Sequence, residues 1–268
     1  MAERPTASDH PTRSRRKFAG LTQCALVAAC AALYFLTRNF TEGSQERATE
    51  NAYSILSFED RLDIAWENSI HSAVVAHQSM ITFFNWVYIW GHWPVIITTL
   101  VLLHRYARPA YTQLRNAMIV SGGIGLLIFA RYPVSPPRLL PEAEFVDTVT
   151  VWSHSYRVLQ PPAFVNQYAA MPSLHVGWNL LVGIVVWRAA RHWVLRALAV
   201  ASPVLMATAV VATANHYVLD VVCGSVVALT GYSAVLAYER FRGRSPKSPG
   251  QRRQPNLHWR PGAVPHRA

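Results

Sequence analysis

The stretch Arg131-Tyr-Pro-Val-Ser-Pro-Pro-Arg138 directly follows an apolar segment and places two arginines around a proline cluster. Two further stretches stand at the ends of later apolar segments: Met171-Pro-Ser-Leu-His175 and Asn215-His-Tyr-Val-Leu-Asp220. Together they supply two arginines, two histidines and one carboxylate. Arginine matches phosphate oxygens with a planar fork of donors, and histidine can carry a group or a proton near neutral pH. The three stretches therefore indicate a site that binds a phosphate and moves it through a histidine.

The chain around these stretches has the composition of a membrane protein. Of its 268 residues, 51% are hydrophobic and 15% are charged, whereas soluble domains carry about 25% charged residues. A helix that crosses the membrane needs roughly 20 apolar residues. The sequence therefore predicts an all-α, polytopic membrane bundle of about six transmembrane helices. The nearly uncharged segments are 19–37, 81–103 (interrupted by Gly91 and Pro94), 117–130, 176–187, 197–214 and 218–238.

The net charge of +11 is explained by membrane topology. With six spans and both termini in the cytoplasm, 19 of the 25 Lys and Arg residues fall on the cytoplasmic side and six fall outside. This bias is the one that the positive-inside rule requires. It predicts a multi-pass protein of the cell membrane with all three stretches at the extracytoplasmic face. It also makes a nucleic-acid partner unexpected, since the excess charge suits anionic lipid.

The organisation along the chain follows from the same composition. The N-tail and the C-tail are basic, rich in Pro, Arg and Ser, and predicted to be disordered. The first span is interpreted as a retained helix, not a signal peptide, because its apolar run continues without a polar break. Four regions result: tail 1–18, first helix and extracytoplasmic segment 19–78, membrane-embedded core 79–240 and tail 241–268.

Acidic and apolar residues are mixed in the segment 41–78. Their spacing predicts an amphipathic helix that lies along the outer surface of the bundle. Such a helix either forms part of a substrate entrance or covers the bundle.

His216 and Asp220 are four residues apart where the sixth span begins, so on a helix they would share one face. The aspartate can then accept a hydrogen bond from one ring nitrogen and leave the other as a nucleophile or base. The alternative is a structural pair at the membrane interface. Pro172 places His175 in the first turn of the fourth span, where backbone N–H groups favour an anion and Ser173 adds a hydroxyl.

Arg131 and Arg138 lie on the predicted outer face, against the inward bias of the other basic residues. Both are candidate phosphate ligands, and for Arg131 the alternative is a side chain that extends to the lipid headgroups. The sequence contains no Gly-rich phosphate loop and no Cys/His set with zinc spacing. Neither a cofactor nor a metal is expected.

With these motifs, residues 85–240 resemble the type 2 phosphatidic acid phosphatase superfamily, which also includes vanadium haloperoxidases. The first motif of that family is a basic residue, six others, then Arg-Pro. Arg131 stands for the usual Lys, Arg138 matches, and Leu139 replaces the Pro. Because haloperoxidases of this family are soluble, the predicted spans disfavour that activity.

The second motif of the family is Pro-Ser-Gly-His. Pro172, Ser173 and His175 match it, and Leu174 replaces the Gly. The Pro-Pro-Arg-Leu and Pro-Ser-Leu-His variants are similar to the branch that contains inositol phosphorylceramide synthases. The resemblance to this branch raises transfer of inositol phosphate between lipids as a possible reaction.

The third motif is Ser-Arg, five others, His, three others and Asp. His216 and Asp220 match, whereas Ala209 and Val210 occupy the Ser and Arg positions. The sequence does not choose among three residues that could replace the missing arginine: His154, Arg157 and Asn215.

The resemblance implies a metal-independent lipid phosphatase or phosphotransferase that acts on a phospholipid or isoprenoid phosphate through a phosphohistidine. Its alternatives are inositol-phosphate transfer and a catalytically silent transport or scaffold protein. The acceptor, water or an alcohol, is not given by these residues, and neither is the oligomeric state. The implied roles are His216 as nucleophile, Asp220 as its orienting partner, His175 as general acid and base, and Arg131, Arg138 and Ser173 as phosphate ligands.

Overall fold

The structure is a computed structural model that describes residues 45–141, 145–153 and 166–244. Within these ranges the chain is almost entirely helical, which confirms the predicted all-α class. The predicted first span and both tails lie outside the described residues, apart from the first turn of the C-tail. The helices are α1 (Gln45–Arg61), α2 (Glu67–Val75), α3 (Gln78–Trp90), α4 (Trp93–Tyr106), α5 (Arg108–Arg131), α6 (Thr148–Trp152), α7 (Leu174–Ala189), α8 (Trp193–Ala212) and α9 (Val218–Arg244).

Three of these helices, α5, α8 and α9, are long and apolar enough to cross a membrane. Helices α3 and α4 make a fourth candidate span if they are counted together across a bend of 42°. The bend has a local cause, because Pro94 in the first turn of α4 lacks the N–H that would continue α3 and would clash with the carbonyl of Trp90. The predicted span 81–103 is therefore broken in two. The count of six spans stays a prediction.

Helix α7 lies at the centre of the bundle, where it packs against α4, α5, α8 and α9. Its contact with α9 depends on two glycines. A Cβ at Gly177 would lie 2.6 Å from the carbonyl oxygen of Gly224, and a Cβ at Gly224 would lie 2.2 Å from that of Ser173. Only hydrogen fits at either position. The two helices therefore approach closely, and their N-terminal ends meet at one end of the bundle.

Helices α1 and α2 cover that same end. The carbonyl of Ala48 accepts a hydrogen bond from the N–H of Ser135 (3.0 Å), and Asn51 Nδ2 donates to the carbonyl of Pro133 (2.8 Å). Ser135 and Pro133, the partners of these two α1 residues, belong to the segment between the two motif arginines. The predicted amphipathic segment is thus a pair of helices, of which α1 is tied to the first motif and α2, through Glu67, to the start of α9.

Candidate functional site

His216 lies in the turn between α8 and α9, two residues before α9 begins. The turn is closed by Ala214 in the left-handed region (φ 53°) and by the carbonyl of Val210, which accepts from the N–H groups of Asn215 (2.9 Å) and His216 (3.1 Å). This is the pattern of a helix ended by a Schellman motif. The prediction that His216 and Asp220 share a face of one helix is therefore wrong, because His216 stands outside the helix.

The two side chains nevertheless meet. His216 Nδ1 lies 2.7 Å from the carbonyl oxygen of Ala170 and 3.3 Å from Asp220 Oδ2. Both partners are acceptors, so Nδ1 carries the proton and Nε2 is the nitrogen with a free lone pair. Asp220 Oδ2 also accepts from the N–H of Tyr217 (3.0 Å), which is the backward half of a capping box. The carboxylate of Asp220 thus both orients the imidazole and caps α9.

The second motif reaches the same place through the start of α7. Ser173 is the N-cap residue, and the predicted position of His175 in the first turn is confirmed. The N–H of Ser173 donates to the carbonyl of Asp220 (3.0 Å), so the two motifs are joined through the backbone. The hydroxyl of Ser173 is fully buried and accepts from the N–H of Val176 at 3.5 Å. Its contribution to phosphate binding stays a prediction.

Three imidazoles stand in a row at this end of the bundle. The ring of His175 lies 5.7 Å from that of His216 and 4.2 Å from that of His92, measured between centroids. Tyr88 stacks on His175 from α3, with centroids 4.9 Å apart. Asn179 Nδ2 donates to the carbonyl of His175 (2.9 Å) and faces Nδ1 of His92 (3.3 Å). The break between α3 and α4 therefore contributes a buried histidine behind the second motif.

Arg138 is held in place by the third motif. Its N–H donates to the carbonyl of Ala214 (3.0 Å), and its Nη1 donates to Asn215 Oδ1 (2.5 Å). Its Nε lies 3.6 Å from Asp147 Oδ2. A guanidinium fixed by two side chains keeps further N–H groups available for an anion. The first and third motifs thus converge as the sequence predicts.

The position of the missing third-motif arginine is apolar. Val210 is fully buried in a hydrophobic cluster. Of the proposed substitutes, Asn215 has its amide nitrogen bound to the carbonyl and hydroxyl of Thr213 (3.1 and 2.8 Å) and its oxygen bound to Arg138. It therefore orients an arginine instead of replacing one. The other two candidates, His154 and Arg157, lie outside the described residues.

Arg131 ends α5 and its side chain is exposed. No residue in the described ranges accepts a hydrogen bond from that side chain, so the structure does not bring it into contact with the histidines. Its role as a phosphate ligand stays a prediction.

The part of the chain that the structure describes contains no group of three or more His, Cys, Asp or Glu side chains placed to hold a metal ion.

Three polar residues that the sequence analysis left without a role lie against the site. His92 stands behind His175, and the carboxylates of Glu59 and Glu67 contact the first turn of α9. All three are buried. In the sequence these residues are marked only by being acidic or basic. In an amphipathic segment or at a helix break, such residues are typically exposed to solvent, so their place at the site could not be predicted.

The architecture defines a class: a helical membrane protein whose polar chemistry is gathered at one end of the bundle, around two histidines. A family model described as the PAP2 superfamily matches residues 53–234. The match covers more than half of the chain, so the protein belongs to the PAP2 superfamily. This confirms the superfamily inferred from the three motifs and indicates a phosphoric ester hydrolase. The inositol phosphorylceramide synthase branch is not distinguished by the match and stays a prediction.

A solved structure supports the same fold. The crystal structure of Aquifex aeolicus LpxE is similar to the chain with a TM-score of 0.50 and 16% sequence identity. The similarity covers 64% of this chain and 93% of that one. At this identity it shows the fold alone. No curated protein matches the sequence.

Proposed function

We propose that the protein is an integral membrane lipid phosphatase that acts through a phosphohistidine at the extracytoplasmic face. The observation that carries the proposal is the arrangement of His216. Its Nδ1 is held by Ala170 and Asp220, which leaves Nε2 as a nucleophile of fixed direction, with His175 and Arg138 at the same end of the bundle. Superfamily membership supports phosphate-ester chemistry, and the Lys and Arg bias supports the outer face.

The reaction would run in two displacements. His216 Nε2 attacks phosphorus, the bond from phosphorus to the lipid oxygen breaks, and protonated His175 gives its proton to the leaving alkoxide. Neutral His175 then takes a proton from water, whose oxygen attacks the phosphohistidine, and the phosphorus–nitrogen bond breaks to release phosphate. Arg138 stabilises the charge on the nonbridging oxygens. Asp220 keeps the imidazole oriented and offsets its developing positive charge.

Transfer of inositol phosphate between lipids is the second candidate, and one observation favours it. The family's third-motif arginine is replaced by Val210, which is buried among apolar side chains. A site with one guanidinium fewer neutralises less negative charge. It therefore suits a phosphodiester, which has a single negative charge, better than a monoester with about −1.5 to −2 charges.

The deciding experiment is turnover by the purified protein in detergent with EDTA present. Phosphatidate, a polyprenyl diphosphate and phosphatidylinositol with a lipid alcohol would be offered separately, and inorganic phosphate and transferred headgroup followed in each. Phosphate release supports the phosphatase. Headgroup transfer without phosphate release supports the second candidate instead.

The nucleophile is tested by His216→Ala, which should lower turnover by roughly 10³-fold or more while the protein stays folded. His104→Ala is the matched control, because His104 is exposed in the last turn of α4, away from the site. Undiminished turnover in H216A would refute the mechanism. Absence of turnover in the folded wild-type protein with every substrate would favour the silent transport or scaffold alternative.

A further inference from the structure

The first turn of α9 is capped by an unusual set of acceptors. Three consecutive backbone N–H groups donate, each to a different carboxylate, and two of the three carboxylates come from helices outside the membrane spans. The pairs are Tyr217 N with Asp220 Oδ2 (3.0 Å), Val218 N with Glu67 Oε1 (2.6 Å) and Leu219 N with Glu59 Oε1 (2.5 Å). Each acceptor satisfies a helix N-terminal donor that lacks an intrahelical partner.

The two glutamates cannot both be ionised at low cost. Glu59 is 0% exposed and Glu67 is 1% exposed, and Asp220 lies beside them with 0% exposure. Glu59 Oε2 is buried and accepts no hydrogen bond from the described residues. If it is protonated, it can donate to the adjacent Glu67 carboxylate, and the group is satisfied. A single shared proton therefore resolves both the unpaired oxygen and the repulsion.

The electrostatic environment agrees with this assignment. Burial raises the pKa of Glu59 to about 8; the negative charge of Glu67 and that of Asp220 add to the rise, against the N–H of Leu219. The titratable groups that face the pair are Asp220 and the phenol of Tyr217, and Tyr53 from α1 lies near that phenol. Glu59 thus holds its proton at neutral pH and loses it under mildly alkaline conditions.

We infer that Glu59 and Glu67 are positioning residues, which share one proton, fix the start of α9 and through it orient His216 and Asp220. This inference deepens the proposed function and rests on it. Neither glutamate is placed to touch substrate, because the described contacts of their carboxylates lead to the backbone of α9. Loss of the shared proton would add a buried negative charge beside Asp220, so that the first turn of α9 loosens. Turnover should therefore fall as pH rises through about 8.

Glu59→Gln and Glu59→Ala separate the possibilities. Gln keeps an oxygen for the N–H of Leu219 and an NH₂ donor for Glu67, so it mimics the protonated form. E59Q should keep wild-type kcat at pH 7 and lose the part of the decline above about pH 8 that ionisation of Glu59 causes, whereas the part due to His175 remains in both proteins. E59A should lose about 10- to 100-fold in kcat with little change in KM, since it misplaces the catalytic groups without touching phosphate ligands. Glu50→Gln, an exposed glutamate on the same helix, is the matched control and should change nothing.

An alkaline decline in E59Q identical to that of the wild-type protein would overturn the inference, as would wild-type kcat in E59A. If E59A does not fold, the pH profile of E59Q still decides. Hydrogen–deuterium exchange of the peptide 216–221 gives a readout independent of activity. The amides of this turn should exchange faster in E59A, and faster in the wild-type protein at pH 9 than in E59Q after correction for intrinsic rates. Equal protection of these amides in the compared proteins would contradict the positioning role. If no variant turns over substrate but the protection of these amides is altered, only the proposed function is refuted.

Discussion

Replacing Gly224 with alanine tests the contact that joins the second and third motifs. A Cβ at this position would lie 2.2 Å from the carbonyl oxygen of Ser173 and 2.8 Å from its carbonyl carbon. Both partners are backbone atoms at the start of α7, so no side-chain rotation can relieve the overlap. Since nonbonded carbon and oxygen atoms sit near 3.5 Å, the two helices must separate by about 1 Å.

This separation sets the expected magnitude. Overpacking of this kind costs about 1–3 kcal/mol of stability, which is partly offset by about 1 kcal/mol from the better helix propensity of alanine. The effect on catalysis should be larger, because a 1 Å misplacement of catalytic groups can cost about 10²-fold in rate. We expect G224A to remain folded in detergent, with its thermal midpoint slightly lowered and its kcat reduced by about 100-fold.

Gly123→Ala supplies the matched control. Gly123 lies inside α5, and a Cβ there meets no atom within 4 Å. G123A therefore gains the same helix propensity without the overlap, and both its turnover and its thermal midpoint should equal or exceed those of the wild-type protein. Size-exclusion analysis after heating, together with steady-state kinetics on the preferred lipid, measures both effects. Equal kcat in G224A and G123A would show that the close approach of α7 and α9 does not position the site.

Three further predictions follow from the contacts of the site. Asp220→Asn should lower kcat by about 10- to 100-fold, because the carbonyl of Ala170 also holds the imidazole. A loss of ~10⁴-fold in steady-state kinetics, as expected when a sole orienting carboxylate is removed, would contradict this role of Ala170. Asn215→Ala removes the acceptor of Arg138 Nη1, a charged hydrogen bond of about 1.5–3 kcal/mol, so kcat/KM should fall roughly 10- to 150-fold, and an unchanged kcat/KM would contradict it. The pKa of Glu59 is about 8 in the folded protein against 4.5 ordinarily, so folding favours its protonated form and stability should fall as pH rises between these values, by at most about 1.4 kcal/mol per pH unit; thermal melts between pH 5 and 9 should show this slope and its loss in E59Q.

The sequence predicts the helical class and the convergence of the motifs well, for a physical reason. Apolar segments long enough to span a bilayer can be located from local composition alone. Motif residues at the ends of such segments meet where those ends pack together. Arg138, His175 and His216 lie at one end of the bundle as a result. Spacing was a weaker guide to local geometry. The interval from His216 to Asp220 suggested a helical face, whereas a Schellman turn creates their contact.

What the sequence could not predict are contacts that depend on tertiary packing. Glu59 and Glu67 stand eight residues apart in an acidic, amphipathic segment, and such residues normally face water. Their burial is compensated by hydrogen bonds from two N–H groups at the start of α9. These N–H groups lie more than 150 residues further along the chain. The same need for acceptors accounts for the position of α1 and α2 against the motifs. Covering the N-terminal end of α9 without capping it would leave polar groups unsatisfied, so the segment that covers this end must also supply its acceptors.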